Sequence, residues 1–494
     1  MSTTSILFMV LFLGVTGLSF ARHAIYGLLL YMAVLYLHPQ TQWWGYDLPD
    51  LRWSLLAAAL AFAATFVHRP DERSLPLFNR PIVIVILAFL AWVVVQSIWA
   101  VNLERHLVLV NLLPKYVLLM LLIYRCIDTP DHLRLFLWAH VLGGAYMGWD
   151  AYSNYTGGRF EGFGGPDISE ANAGALQIVT AVFCGAGLFV AGQWKERLAL
   201  LVLLPLMVNG IILTESRSSF LAAAFGGIVF NYFAPKRYRA RILGLSVIAM
   251  LGFAGLANEQ FWDRINTIKY AGEQVEGVDT GGGRVEAMAA QLRMFRDYPE
   301  GCGHRCTAEL SPLYMEDWML TGVGANRGRS SHNTALTFLV EHGIPGILFY
   351  ATLLGWLYAV FRSLYRQLDA LPDPLPAYLP GIAAAMAALV VGDIFVDYLK
   401  LEVRFWLIGA ILVVVNLRWL AVQNSKALEA EIARQGGELK ADPAGSPADG
   451  PPGPRPGPAG DSGADTPLPV GAHGSVVQRA PLRSRYKSTS DGAG

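Results

Sequence analysis

Charge is what this chain has too little of. Only 15% of its 494 residues are Asp, Glu, Lys or Arg, and 38 basic against 38 acidic residues leave a formal net charge of +0. A soluble domain carries about a quarter charged residues, so these are too few to coat a globule of this size. The balance also lacks the basic excess of a nucleic-acid binder. Four cysteines in such a length exclude a disulfide-framework secreted domain. There is no P-loop, no Gly-x-Ser-x-Gly, no His-Glu-x-x-His and no dinucleotide fingerprint. The 2.0 and 3.6 periods of half-buried elements are missing as well, which argues against an ordinary cytosolic enzyme. What is present is apolar: 54% hydrophobic residues and a mean hydropathy of +0.39, gathered in blocks. The 13 Trp and 20 Tyr suit interfacial belts. A multi-spanning membrane protein fits.

A span needs about 20 mainly apolar residues. Such segments fall near 5–20, 23–38, 53–68, 81–100, 107–125, 132–150, 172–191, 197–214, 218–234, 241–257, 334–361, 378–396 and 404–421. That predicts 12 or 13 spans, because the first two are short and separated only by Arg22 and His23; they are two thin helices or a re-entrant pair. Met1-Ser-Thr-Thr offers no basic n-region for a cleaved signal peptide. The blocks have helix length, not that of alternating strands, and backbone at membrane depth must be satisfied internally. The expected class is all-α polytopic membrane. Its divisions are a transmembrane bundle over 1–257, a large loop with amphipathic helices over 258–333, further spans over 334–421 and a tail over 422–494. A short helix from Asn424 to Arg434 is expected to open the tail. From about 437 the tail holds ten of the 27 prolines, too little apolar area to offset ordering entropy, and reads as disordered.

Basic residues cluster at Arg69/Arg73/Arg80, Arg125/Arg134, Lys195/Arg197, Lys236/Arg237/Arg239/Arg241 and Arg362/Arg366. Counting spans puts every cluster on one side, which the positive-inside rule makes cytoplasmic, with the tail. The connections 39–52, 151–171, 215–217, 258–333 and 397–403 face the other way. The longest holds eight Lys/Arg and eleven Asp/Glu and is mildly acidic.

Three outward segments carry chemistry. One is Gly157-Gly-Arg159-Phe-Glu161-Gly-Phe-Gly-Gly-Pro166, with Asn172 after it. The second, Thr214-Glu215-Ser216-Arg217-Ser-Ser219, is a tight turn between spans. The third runs from Gly281-Gly-Gly-Arg284 to Ser331-His332-Asn333. A guanidinium costs roughly 2.5–3.5 kcal/mol at the bilayer centre and is a functional candidate near lipid. Arg217 is either a fork that grips phosphate or a snorkelling anchor; its hydroxyl and carboxylate neighbours favour the fork. Arg284 opens a predicted helix over Arg284–Asp297 with Val285, Met288, Leu292 and Phe295 on one apolar face, lying along the bilayer surface. The glycines before it are an anion-binding turn or a plain hinge. His332 can take a proton from a hydroxyl nucleophile. A lone histidine is more often structural, but sharing a face with Arg159, Arg217 and Arg284 strengthens the catalytic reading.

In Glu341-His342-Gly-Ile-Pro-Gly346 the glycine and proline should break the helix, and broken helices at membrane depth usually line a cavity. Cys302 and Cys306 can form a small disulfide or, less readily, join His304 at a metal, since three ligands in five residues suit zinc poorly. Cys126 and Cys184 read as core. Lys115 meets a lipid phosphate or a buried acid such as Asp393. A site on the outer face has no ATP, so a synthetic reaction there needs a pre-activated donor such as a lipid pyrophosphate.

Thr-x-Ser-Arg at a turn, one long late loop, and Ser331-His332-Asn333 followed by Glu341-x-Gly-Ile-Pro-Gly346 resemble the O-antigen ligase and polymerase family. The resemblance covers roughly 155–360 and is looser from Arg159 to Asn172. His-Pro and Trp-Trp-Gly-Tyr before Asp-Leu-Pro also resemble the branch of O-glycosylation ligases linked to exosortase polysaccharide systems. The Cys-Gly-His-Arg-Cys insert and the Pro-rich tail depart from the pattern. The resemblance implies a metal-independent, inverting glycosyltransferase without cofactor in a bacterial inner membrane. It implies transfer of glycan from undecaprenyl pyrophosphate to a lipid A–core hydroxyl at the periplasmic face. Arg217, Arg284 and Arg159 would hold the donor pyrophosphate and His332 would be general base, with Glu215, Ser216, Asn172, Asn333 and Glu341 in support. A protein acceptor, or the growing glycan of a polymerase, fits the same residues. A lipid-linked glycan transporter ranks lower, because no internal repeat is visible.

Overall fold

The computed structural model describes residues 2–68, 73–163, 170–266, 284–315, 332–397 and 401–438, without the side chains of 264, 284, 285, 369 and 433–438. The chain divides into two units, Met1–Glu431 and Ile432–Gly494. The second is described only as far as Glu438, so the expected disordered stretch lies outside the described residues.

The described residues are helical, with no strand. In order they form α1 (Thr3–Ala21), α2 (Ile25–Leu37), α3 (Trp53–Val67), α4 (Pro81–Gln96), α5 (Leu103–Cys126), α6 (Pro130–Ser153), α7 (Ala171–Ala191), α8 (Trp194–Leu213), α9 (Arg217–Tyr232) and α10 (Arg239–Leu256). The long loop carries α11 (Glu259–Asn266), α12 (Arg284–Asp297) and α13 (Cys306–Tyr314). Then come α14 (Thr334–Arg366), α15 (Leu375–Gly392) and α16 (Val403–Glu438). A helix stands at each of the thirteen expected spans, and eight are long and apolar enough to cross a bilayer.

Local chemistry starts these helices where it should. Ser2, Asn102, Thr129, Ser216 and Asn333 accept the backbone N–H three residues on as N-caps. Gln193 and Glu196 form a reciprocal capping box on α8. α1 and α2 make an antiparallel hairpin. Ser5 Oγ at the start of α1 donates to Trp44 O beyond the end of α2 at 2.7 Å. The basic end of α1 is fixed by His68 Nε2, 3.0 Å from Phe20 O.

The centre of the bundle is α7, packed against α6, α8, α9 and α15. Of the most apolar window of α7 and of α15, 83% is buried, against 6% for α10. Small residues permit that approach. A Cβ on Gly381 would lie 2.4 Å from Phe183 O, and one on Gly226 2.4 Å from the Phe183 ring. α10 leaves Ile248, Met250 and Leu251 exposed, as a lipid-facing helix does.

Three expectations need correction. The segment over Asn424–Arg434 is no separate helix but the continuation of α16; no Gly or Pro intervenes to stop it. Helix α12 has the expected limits, but it buries Ala287, Ala290, Gln291 and Met294, while Leu292 is 47% exposed. The small residues turn inward because α12 packs closely against α13 and α14. Lys115 is exposed and does not pair with Asp393, whose carboxylate is held by Arg404 at 2.9 and 2.5 Å. Arg404, one residue into α16, reaches the end of α15 with a planar fork that a lysine lacks.

Candidate functional site

The turn between α8 and α9 is closed by its own hydroxyls. Thr214 Oγ1 donates to Ile211 O at 2.6 Å, and Ser216 Oγ receives Ser219 N–H at 3.2 Å as the α9 cap. Between them Glu215 takes a left-handed conformation, φ 48°, uncommon for a residue with a side chain. Arg217 is therefore the first residue of α9, at the positive end of a helix dipole.

The 159–163 segment folds over this turn. Phe160 N–H donates to Leu213 O at 2.9 Å. Phe163 is buried against Gly174, which has no Cβ to obstruct the ring. A polar chain then links the first two candidate segments. Arg159 lies 3.6 Å from Glu161 and 3.4 Å from Glu170. Glu170 accepts from the Asn172 amide, and Asn172 Oδ1 accepts from Ser216 Oγ at 2.8 Å. Arg159, Asn172, Glu215, Ser216 and Arg217 are thus brought together. Glu170, central to the chain, carries no signal in the sequence beyond its place two residues before Asn172.

The start of α14 is pinned to the end of α15. Asn333 caps α14, accepting Leu336 N–H at 3.0 Å. Thr334 N–H donates to Asp393 O at 2.8 Å, and its hydroxyl to Val396 O at 2.8 Å. Asp393 also accepts from Tyr350 at 2.9 Å and from Arg404. His332 precedes this clamp, exposed and left-handed at φ 51°.

Helix directions put these pieces at one end. A Cβ on Gly187 would face Ala377 and Tyr378, and one on Gly226 would face Ala384. α15 therefore runs antiparallel to α7 and α9. About eight further residues, at 1.5 Å each, bring Asp393 level with the starts of α7 and α9. His332, Asn333, Asn172 and Ser216–Arg217 share this end, here called the loop end. Arg284 opens α12 as expected; its side chain, like Ser331 and the glycines at 281–283, lies outside the described residues.

The break in α14 falls at Gly343, φ 68° and ψ −160°. It does not line an open cavity; the loop at 299–303 fills it. Cys302 N–H donates to Val340 O at 3.2 Å, Gly303 N–H to Glu341 O at 2.9 Å and Ile344 N–H to Pro299 O at 3.3 Å. From α4, Gln96 Nε2 donates to Glu341 O at 2.7 Å and Trp92 Nε1 to His342 O at 2.9 Å. Groups freed by the break are satisfied by protein, as membrane depth requires. Gly301 makes the fit possible: its φ is 88°, and a Cβ there would lie 2.5 Å from Gly343 N. Cys302 and Cys306 are joined by a disulfide and pack with Met294, Leu310 and Val340 in a small apolar cluster.

A helical bundle crossing the bilayer repeatedly, with its buried polar chemistry gathered at one end, defines a polytopic membrane protein. Residues 198–351 match the family model described as O-antigen ligase, which supports membership of the O-antigen ligase and polymerase family. The matched stretch holds Ser216, Arg217, Arg284, His332 and Glu341; Arg159 and Asn172 precede it. No curated protein matches the chain.

Proposed function

We propose that this chain is an O-antigen ligase, transferring polysaccharide with inversion from undecaprenyl pyrophosphate to a lipid A–core sugar hydroxyl. The observation that carries the reading is the gathering of the Ser216–Arg217 turn, the Arg159–Asn172 segment and the His332 start of α14 at one end. Arg217, aided by the α9 N-terminus and with Arg284 and Arg159, holds the donor pyrophosphate and neutralises charge as the glycosidic bond breaks. His332 accepts the proton of the acceptor hydroxyl. His332 is exposed and left-handed just before α14. Attack is direct and in line, and both lipids enter sideways from the bilayer.

The proposed setting is the bacterial inner membrane, loop end in the periplasm and tail in the cytoplasm. In its support, Arg73, Arg80, Arg134, Lys195 and Arg237 all stand at the opposite end. Gene deletion with analysis of the glycoconjugates tests the assignment. Lipopolysaccharide without polymer, with lipid-linked donor accumulating, is expected. Single-repeat products would instead identify a polymerase, and an unglycosylated protein a protein ligase.

A further inference from the structure

Helices α9 and α15 pack closely against each other, while α14 packs far less closely on either. The gap beyond the break in α14 is a groove of about 700 Å³ between the three helices. Its floor is α15, where the small Ala383 and Ala387 give it depth. Its walls are Phe225 and Tyr232 of α9 and Leu354 and Tyr358 of α14. Phe225, Tyr232 and Tyr358 are 46%, 62% and 66% exposed, so the groove opens sideways between its rims. From Leu354 to Arg366 the lining follows α14 for twelve residues, or about 18 Å. That is about the depth of one leaflet of a roughly 30 Å hydrocarbon core.

At the basic end the groove closes on rings. Tyr232 stacks on Tyr365 with centroids 4.8 Å apart, and Phe233 meets Phe361 edge-on at 5.7 Å. Arg362 and Arg366 stand here one helical turn apart, both exposed, and they are the charged residues of the described lining. Arg362 Nη1 donates to Tyr358 Oη at 3.0 Å, which leaves its other donors for a ligand. Among the described residues no carboxylate pairs with either arginine, whereas Arg134 and Arg237 at the same end are claimed by Glu196 and Asp373. A lone interfacial arginine can be a plain anchor. Two of them at the mouth of a leaflet-deep apolar groove, with no acid to neutralise them, complement an anionic head on an apolar tail.

We propose that this groove binds an anionic phospholipid from the leaflet at the basic end, with an acyl chain between α9 and α14 and the phosphodiester at Arg362 and Arg366. An acyl chain matches the length of the groove, whereas a polyprenyl chain is far longer. The lipid supplies packing that α14 lacks here and holds its basic half against α9 and α15. Neither arginine belongs to the transfer site proposed at the loop end, so the inference stands apart from that chemistry.

The test is native mass spectrometry of the full-length chain, delipidated in detergent and titrated with phosphatidylglycerol, phosphatidylcholine or undecaprenyl phosphate, each alone. One phosphatidylglycerol per chain is expected, held about tenfold more tightly than phosphatidylcholine and raising the melting temperature. Arg362→Gln with Arg366→Gln should remove that preference. Ala387→Leu, which narrows the groove and keeps both arginines, should weaken both phospholipids. Lys236→Gln with Arg239→Gln, exposed at the same end but outside the groove, should leave the preference intact. Equal retention of the two phospholipids by the wild type would overturn the site, as would a preference lost equally with Lys236 and Arg239. Undecaprenyl phosphate held more tightly than phosphatidylglycerol would overturn the assigned occupant. So would a lipid-free dimer split by Ala387→Leu, which would give the groove to a second copy. Should Ala387→Leu fail to fold, the phospholipid comparison and the arginine variants decide alone.

Discussion

The two ends of the bundle handle charge in opposite ways. At the loop end, the charges that fix α14 are buried: Asp393 with Arg404 clamps its start, and Glu341 sits beside two histidines at its break. At the basic end it lies near the surface and closes turns. Arg134 pairs with Glu196 across the starts of α6 and α8, and Arg237 with Asp373 before α10 and α15. His23 and His132 flank Asp128 at 3.2 and 2.6 Å. Like Glu341, Asp128 is a carboxylate beside two imidazoles, but it is half-buried. Removing a surface pair forfeits about 1 kcal/mol or less; halving a buried one leaves a naked charge and costs several. Charge at the basic end closes turns, while the buried charge at the loop end holds fixed geometry.

The largest effect should come from His332→Ala, with transfer falling by about 10²–10⁴, the usual worth of a general base, and with expression, melting and donor binding kept. A rate near wild type in a reconstituted transfer assay would reduce the loop end to scaffolding. Next, Asp393→Asn strands Arg404 in a buried position and should cost about 3–5 kcal/mol, read as a lower melting temperature in detergent. An unchanged melt would show that both ends tolerate lost partners alike. Arg217→Lys keeps the charge but loses the fork, and should cost at least about tenfold in transfer with little change in melting; full activity would mark Arg217 as an anchor.

The smallest effect lies at the basic end. Burial pushes the Asp128 carboxyl up, but hydrogen bonds and charge from His132 and His23 outweigh it and hold the group well below the usual carboxylate range. A depressed folded value adds stability above the unfolded value and loses it as pH falls through the folded one. Asp128→Asn should therefore flatten the acid side of the melting–pH curve by removing about 1 kcal/mol or less of stability at neutral pH. A neutral-pH loss as large as that of Asp393→Asn would erase the contrast between the ends.

Much of this was legible before the fold was known. Apolar blocks place the helices, because a bilayer-crossing segment must satisfy its own backbone and carry its own apolar surface. Ser216 and Asn333 mark helix starts through local hydrogen bonds, and the Gly–Pro pair marks a break in α14. Side-chain partners were not legible. Arg404 rather than Lys115 claims Asp393; Glu170 joins Arg159 to Asn172; the 299–303 loop closes the break; Ala287 and Ala290 turn inward on α12. Propensity, capping and hydropathy act over a few residues, so the sequence alone determined the elements. Which buried polar groups meet depends on close packing between helices, more than two hundred residues apart for Gln96 and Glu341, and only the tertiary structure decides that.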